Sequence, residues 1–161
     1  MRRFIFVLLT IAGLAGPAVA AENFQAGVDA YKIGDYTAAM RVFRELVLQD
    51  HAGAQTNLGL MLSKGLGGPR DDAEAVKWYL LAAEQGQPVA QNNLGALYLG
   101  GLGVPKDPVV ALMWLMLASE NGYASAKPAV EQQLQDMSPK QVDVAKRLLA
   151  VWKDKLALNK S

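Results

Sequence analysis

The sequence predicts an all-α protein, an α-solenoid of antiparallel helix pairs closed by a C-terminal capping helix. Three observations carry that expectation. An internal repeat of 36 residues runs through the middle of the chain. Helix caps, prolines and glycines fall at the same places in each copy. Between them, apolar residues recur at helical spacing.

The repeat is plain on inspection. Ala54-Gln55-Thr56-Asn57-Leu58-Gly59 returns as Ala90-Gln91-Asn92-Asn93-Leu94-Gly95, and Gly65-Leu66-Gly67-Gly68-Pro69-Arg70-Asp71 returns as Gly101-Leu102-Gly103-Val104-Pro105-Lys106-Asp107. The second half of the unit matches too, with Ala75, Trp78, Leu81, Ala82, Glu84 and Gly86 answered by Ala111, Trp114, Leu117, Ala118, Glu120 and Gly122.

Each unit reads as two helices. Ala90, Leu94, Leu97 and Tyr98 space the first, from about Pro88 to Leu99, and the glycines from Gly100 end it by supplying the left-handed conformation. Asp107 caps the second helix, with Pro108 at its first position. In the earlier copy Asp71 is the cap, and Glu74 is placed to complete a capping box. Small residues recur where neighbouring helices must approach, while Trp78 and Trp114 fill the gaps between layers. The last helix opens at Ser138-Pro139-Lys140-Gln141 and carries Val142, Ala145, Leu149, Trp152 and Leu156 on one stripe. Met137 stands where a glycine loop would otherwise recur. A solenoid needs its terminal apolar face covered, so this helix is the expected cap.

The first twenty residues have the pattern of a secretory signal. Arg2-Arg3 precede the apolar run Phe4–Ile11, and Ala18-Val19-Ala20 offers a small-x-small cleavage site near Ala20. The expectation is an exported, soluble protein of the periplasm with no integral span after cleavage. The whole chain has 16 basic and 15 acidic residues. Without Arg2 and Arg3 its net charge becomes −1, so nothing draws it toward nucleic acid. Residues 22–137 carry 13 acidic and 8 basic side chains, whereas 138–161 carry six basic and two acidic. The basic stretch is expected to be the solvated face of the capping helix, with peripheral contact to the envelope as the alternative.

Chemistry is hard to nominate. The chain has no cysteine and one histidine, His51, which excludes disulfides, thiolate metal sites and a cysteine nucleophile. His51 beside Asp50 is expected to be a solvated loop residue, since no nucleophile can be paired with it. Asp71-Asp72 is explained by capping. The glycine loops lack the lysine and serine or threonine of a phosphate cradle. Met61, Met113 and Met116 fall at core spacing. No enzymatic activity, metal or cofactor is expected.

The stretch Ala90 to Tyr98, the loop Gly101 to Asp107 and the helix Ala75 to Gly86 together resemble the Sel1-like repeat family, relatives of tetratricopeptide repeats. The resemblance covers roughly 53–127. Gly27, Gly34, Tyr36, Ala39 and Phe43 are spaced more like a tetratricopeptide unit. The organisation expected is therefore a signal peptide over 1–20, a tetratricopeptide-like helix pair over 21–52, and repeats over 53–88 and 89–124. A partial repeat helix over 125–137, the capping helix over 138–158 and a tail over 159–161 complete it.

Such a resemblance implies a non-enzymatic binding or scaffold module that recognises a protein or peptide segment, within a cell-envelope complex. It also implies that the first helix of each pair lines a concave surface. Carried over by position, that nominates Tyr31, with Phe24 and Val28, on the first unit. It nominates Thr56, Leu60 and Ser63 on the second, then Asn92, Ala96 and Leu99, and finally Gln132. Two alternatives stand beside it. One is an envelope hydrolase like the β-lactam-binding Sel1-like proteins, although this chain lacks their paired cysteines. The other is a structural module docking through its basic C-terminal helix.

Overall fold

A computed structural model of the chain describes residues 17–158. The expected signal segment lies mostly outside those residues. The described chain is helical throughout: α1 (Pro17–Lys32), α2 (Tyr36–Val47), α3 (Ala52–Lys64), α4 (Asp72–Glu84), α5 (Pro88–Gly100), α6 (Pro108–Glu120), a single 3₁₀ turn (Ala124–Ala126), α7 (Lys127–Asp136) and α8 (Pro139–Leu158). Among the described residues there is no strand. Helices α1–α2, α3–α4 and α5–α6 pack as pairs, and each second helix also packs on the first helix of the following unit. The result is the solenoid of helix pairs that the repeat predicts.

One contact recurs in all three pairs and sets their spacing. A bulky side chain of the second helix lies over a glycine of the first. A Cβ on Gly59 would stand 2.8 Å from the Tyr79 ring, one on Gly95 2.7 Å from Leu115 Cγ, and one on Gly27 2.8 Å from the Phe43 ring. Ordinary carbon contacts lie near 3.5–4.0 Å, so only glycine admits these neighbours. Phe43, Tyr79 and Leu115 are each at most 1% exposed. Burial of one such side chain is worth roughly 1.5–3 kcal/mol. Knob and glycine are 20 residues apart in the two repeats but 16 apart in the first pair. The difference of four is the long glycine loop, which the first pair replaces with a tight turn at Gly34.

Those loops do more than turn the chain. Gly67 and Gly103 both hold positive φ, 77° and 70°. Each also presses on the start of the preceding second helix. A Cβ on Gly67 would meet Tyr36 O at 2.5 Å, and one on Gly103 would meet Asp72 O at 2.4 Å. Asp35, Asp71 and Asp107 cap α2, α4 and α6, each accepting a hydrogen bond from the amide three residues on. The reciprocal half of the expected capping box at α4 is not made. Glu74 Oε1 instead accepts from Trp78 Nε1 at 3.1 Å and Arg44 at 3.3 Å. The box at α8 is complete, with Gln141 Oε1 accepting from the Ser138 amide at 3.0 Å.

The connection between α2 and α3 differs from expectation. His51 is half-buried rather than solvated. Its Nδ1 caps α3 by accepting from the Ala54 amide at 3.1 Å, and its ring stacks on Phe24 at 4.6 Å. Asp50 stands at the position that Gly86 and Gly122 fill in the repeats, and it alone among non-glycine described residues has positive φ, 57°.

The C-terminal end also departs from a further repeat. By the period, position 131 should hold a glycine and position 151 its knob. Glu131 is exposed, and Val151 is 64% exposed. Without the glycine, α8 cannot seat against α7, and it packs along α6 instead. Ala145, Leu149 and Leu156 are buried there, and Trp152 meets Trp114 at 4.6 Å. The predicted stripe is thus the face that closes the array.

Candidate peptide-binding surface

The first helices α1, α3 and α5 lie side by side. At their N-terminal ends Phe24 meets His51, and a Cβ on Gly53 would touch the Phe24 ring at 3.0 Å. At their C-terminal ends Ser63 Oγ approaches the Tyr79 hydroxyl at 3.5 Å. The second helices support this row from behind through the glycine contacts.

The nominated residues divide into three groups. Tyr31, Leu60, Asn92 and Leu99 are half-buried on successive first helices, and Ala96 is exposed. Tyr31 meets Tyr36 edge-on at 5.4 Å. The Asn92 side chain makes no hydrogen bond to the described residues. Leu99 borders a cavity of about 400 Å³ with Lys106, Gln133 and Met137. Thr56 is buried, 8% exposed, whereas Ser63 is half-buried like Leu60; both hydroxyls donate to carbonyls of their own helix, Ala52 O and Leu60 O, at 3.0 Å. Of the flanking positions, Phe24 and Val28 pack against the core, and the Gln132 amide donates to both carboxylate oxygens of Asp136.

Sequence reasoning missed Tyr79 and Asn93. The Tyr79 hydroxyl lies where Ser63 and Asn93 can both hydrogen-bond to it, with Tyr31 near enough to add a smaller repulsion. Burial pushes this phenol up to about 12, against the pull of its Ser63 and Asn93 contacts. It therefore stays neutral well above the pH at which an exposed tyrosine ionises. In the next repeat the corresponding positions are Leu99 and Leu115. The surface passes from hydrogen-bonding to apolar over one unit. The signal was present, since Asn57 and Asn93 repeat at 36 residues, but the period cannot tell a packed knob from one with a polar tip.

Two buried glutamines hold the row rigid. Gln91 donates to Ala83 O at 3.1 Å and accepts from Asn121 at 2.9 Å. Gln55 donates to Asp50 at 2.8 Å, while Gln85 donates to both Gln55 and Asp50 at 2.9 and 3.0 Å. These amides are 0% and 1% exposed, and each ties the start of a first helix to the end of a second one. Their polar groups are satisfied, which is the condition for burying them.

Among the described residues no helix is long and apolar enough to cross a membrane. Nor does any group of three or more potential metal ligands gather there.

Comparison with known proteins agrees with this architecture. The Sel1 repeat model matches residues 52–87 and 88–123. A crystal structure of c5321, a protective antigen of uropathogenic Escherichia coli displaying an SLR fold, is 30% identical with a TM-score of 0.82, over 87% of this chain and 31% of that one. A Sel1 repeat protein from Oxalobacter formigenes is 37% identical with a TM-score of 0.63, over 66% of this chain and 44% of that one. The DAP3-binding cell death enhancer 1 of Rattus norvegicus is 44% identical over 50 residues, which are 31% of this chain and 10% of that protein. The chain thus spans less than half the length of each of these relatives. The chain carries two Sel1 repeats, at residues 52–87 and 88–123, within a fold shared with these solved structures.

Proposed function

We propose that this chain is an exported, non-enzymatic scaffold that holds an extended segment of a partner protein along its first helices. Sel1 repeats are typically protein–protein interaction modules, which supports a protein partner. The observation that carries the reading is the row Tyr31, Leu60, Asn92, Ala96 and Leu99: uncharged, open to solvent in part, and fixed on three parallel helices. The Asn92 amide can bond a peptide backbone, while Tyr31, Leu60 and Leu99 offer contacts for side chains. A few residues carry most of the affinity in such interfaces, and tyrosine is among the favoured types, which singles out Tyr31. Export to the periplasm and a place in a cell-envelope complex rest on the N-terminal Arg2-Arg3, the apolar run and Ala18-Val19-Ala20.

Docking of the basic C-terminal helix on an outside surface has less support. Lys153 and Lys155 contact Glu120 and Glu84, and Arg147 contacts Asp143, all within the chain.

A photo-crosslinking amino acid at Ala96 tests the proposal against one at Lys77, an exposed residue of the second helix α4. The expected result is a discrete adduct from position 96 in exported material, lost when Tyr31→Ala and Leu60→Ala are combined. Equal labelling from both positions, or an adduct indifferent to the double change, would sink it.

A further inference from the structure

We propose that the outer groove between α2 and α4, beside α8, docks an amphipathic helix of a partner protein that carries acidic residues along one edge. It lies on the second helices, behind the row on α1, α3 and α5, and does not depend on the reading of that row. The chain itself shows what such a groove holds. One unit further on, α8 lies along α6 and reaches α4. Trp152 packs on Trp114 at 4.6 Å, and Lys155 pairs with Glu84 at 2.7 Å. Shifted back by 36 residues, Trp114, Leu117 and Glu84 become Trp78, Leu81 and Leu48. No helix of this chain covers that place. Trp114 and Leu117 are each 2% exposed, whereas Trp78 is only half-buried, Leu81 is 42% exposed and Leu48 is 84% exposed.

The groove has three walls. A cavity of about 500 Å³ opens on α2, lined by Met40, Arg41, Arg44 and Leu48 among others. Arg44 crosses to Glu74 of α4 at 3.3 Å, which sets the two helices side by side. The flank of α8 is the third wall. Val144, Leu148, Val151 and Lys155 follow one another at helical spacing, and Lys155 reaches α4, so this flank turns toward the empty groove. Val144 and Val151 are exposed on it. In charge the empty groove differs from the filled one. Leu48 stands where Glu84 takes a lysine, and Arg44 stands where α4 has Leu80. Among the described residues Arg41 forms no ion pair. Glu45 stands on the far rim, which it shares with a small cavity toward α1. Residues 22–137 hold 13 acidic and 8 basic side chains, so two arginines at one groove are a local reversal that selects an acidic edge. The α8 of a second copy is the wrong occupant, with six basic against two acidic residues over 138–161.

The test uses the isotope-labelled full chain and two synthetic peptides. One has the sequence of residues 138–158. The other carries Val151→Glu and Lys155→Leu as well, which set a glutamate toward Arg44 and a leucine toward Leu48. The altered peptide should bind about tenfold more tightly than the unaltered one. The indole N–H resonance of Trp78 should move on binding, and that of Trp114 should not. Leu48→Glu and Arg41→Glu, both at exposed positions of the chain, should each weaken binding. Equal affinity of the two peptides, no binding of the altered one, or indifference to both substitutions overturns the proposal. A shift of Trp114 instead would mean that the peptide displaces α8, and also overturns it. Tyr31→Ala with Leu60→Ala, which disables the row, should leave the affinity unchanged; its loss would place the peptide on the row and refute the groove. A concentration-dependent dimer of the unaltered chain that Leu48→Glu dissolves would make a second copy the occupant and overturn the partner reading.

Discussion

Replacing Gly95 with alanine sets two known effects against each other. A helical glycine is about 1 kcal/mol less favourable than alanine, so an exposed site would gain that much. Here the added Cβ would stand 2.7 and 2.8 Å from Leu115 Cγ and Cδ2, and 3.2 Å from Ala111 O. Leu115 is 1% exposed and has no open space to enter, while Ala111 O is main chain. Helix α6 must retreat by about 1 Å, or Leu115 must leave its rotamer. Overpacking of this kind costs roughly 1–3 kcal/mol. The partner helix also carries α8, so the retreat disturbs more than one contact. Gly95→Ala should therefore destabilise by about 1–2 kcal/mol after the propensity gain is counted. Leu115→Ala alone should cost about 2–5 kcal/mol. In the double variant the new methyl occupies part of the space that Leu115 leaves, so the two losses should fall short of their sum by about 1–2 kcal/mol. Urea denaturation followed by tryptophan fluorescence and far-UV circular dichroism measures each corner of the cycle. A stabilised Gly95→Ala variant, or a cycle additive within about 0.5 kcal/mol, would refute the knob-on-glycine account.

Asp50→Gly relieves a left-handed backbone worth about 1 kcal/mol but removes the acceptor of Gln55 and Gln85, leaving a buried donor unpaired at about 1–3 kcal/mol. A net loss of about 1 kcal/mol is expected by thermal denaturation, and a gain would show the network to be idle. His51→Ala loses both the α3 cap and the Phe24 stack, so about 2 kcal/mol should go, with His51→Asn recovering the capping part alone. Tyr79 has its folded pKa raised to about 12 above an ordinary value near 10, so the fold favours the neutral phenol. Its contribution is fully present below pH 10, then falls as pH rises toward 12, by up to about 3 kcal/mol. Absorbance titration should show a late component that disappears in Tyr79→Phe, and a late component that survives the substitution, or none in the original chain, would contradict this.

The fold was legible because the repeat states it three ways: by period, by caps and by glycines. Asp71 and Asp107 are caps in sequence and in structure. The meaning of Gly59 and Gly95 was only half legible. Small residues indicate close approach, but which side chain fills the space depends on the helix register, which the period alone does not fix. His51 was misread because its environment comes from Phe24, 27 residues away, and no local pattern marks that stack. Glu74 was misread for a similar reason, since Trp78 and Arg44 compete for its carboxylate with the amide at the helix start. The row of nominated surface residues was placed by analogy with helix position, and burial sets only Thr56 apart from it. Thr56 and Ser63 have hydroxyls, and a hydroxyl on a helix can always turn back to its own carbonyls.

The array ends where two features of the repeat fail together, the glycine of the first helix at Glu131 and the glycine loop at Met137. Each complete pair needs a glycine on the first helix and a knob on the second. Helix α7 supplies Glu131 in that place, so no second helix can approach it closely. The chain after Ser138 still carries an apolar stripe, and that stripe must be covered somewhere. The nearest available surface is α6, where Trp114 would otherwise stand open; with Trp152 against it, it is 2% exposed. The counterpart Trp78 lacks such a helix over it and stays half-buried, its indole bonded to Glu74. Capping therefore selects the face of α6 away from α5, and it leaves the row from Tyr31 to Leu99 uncovered.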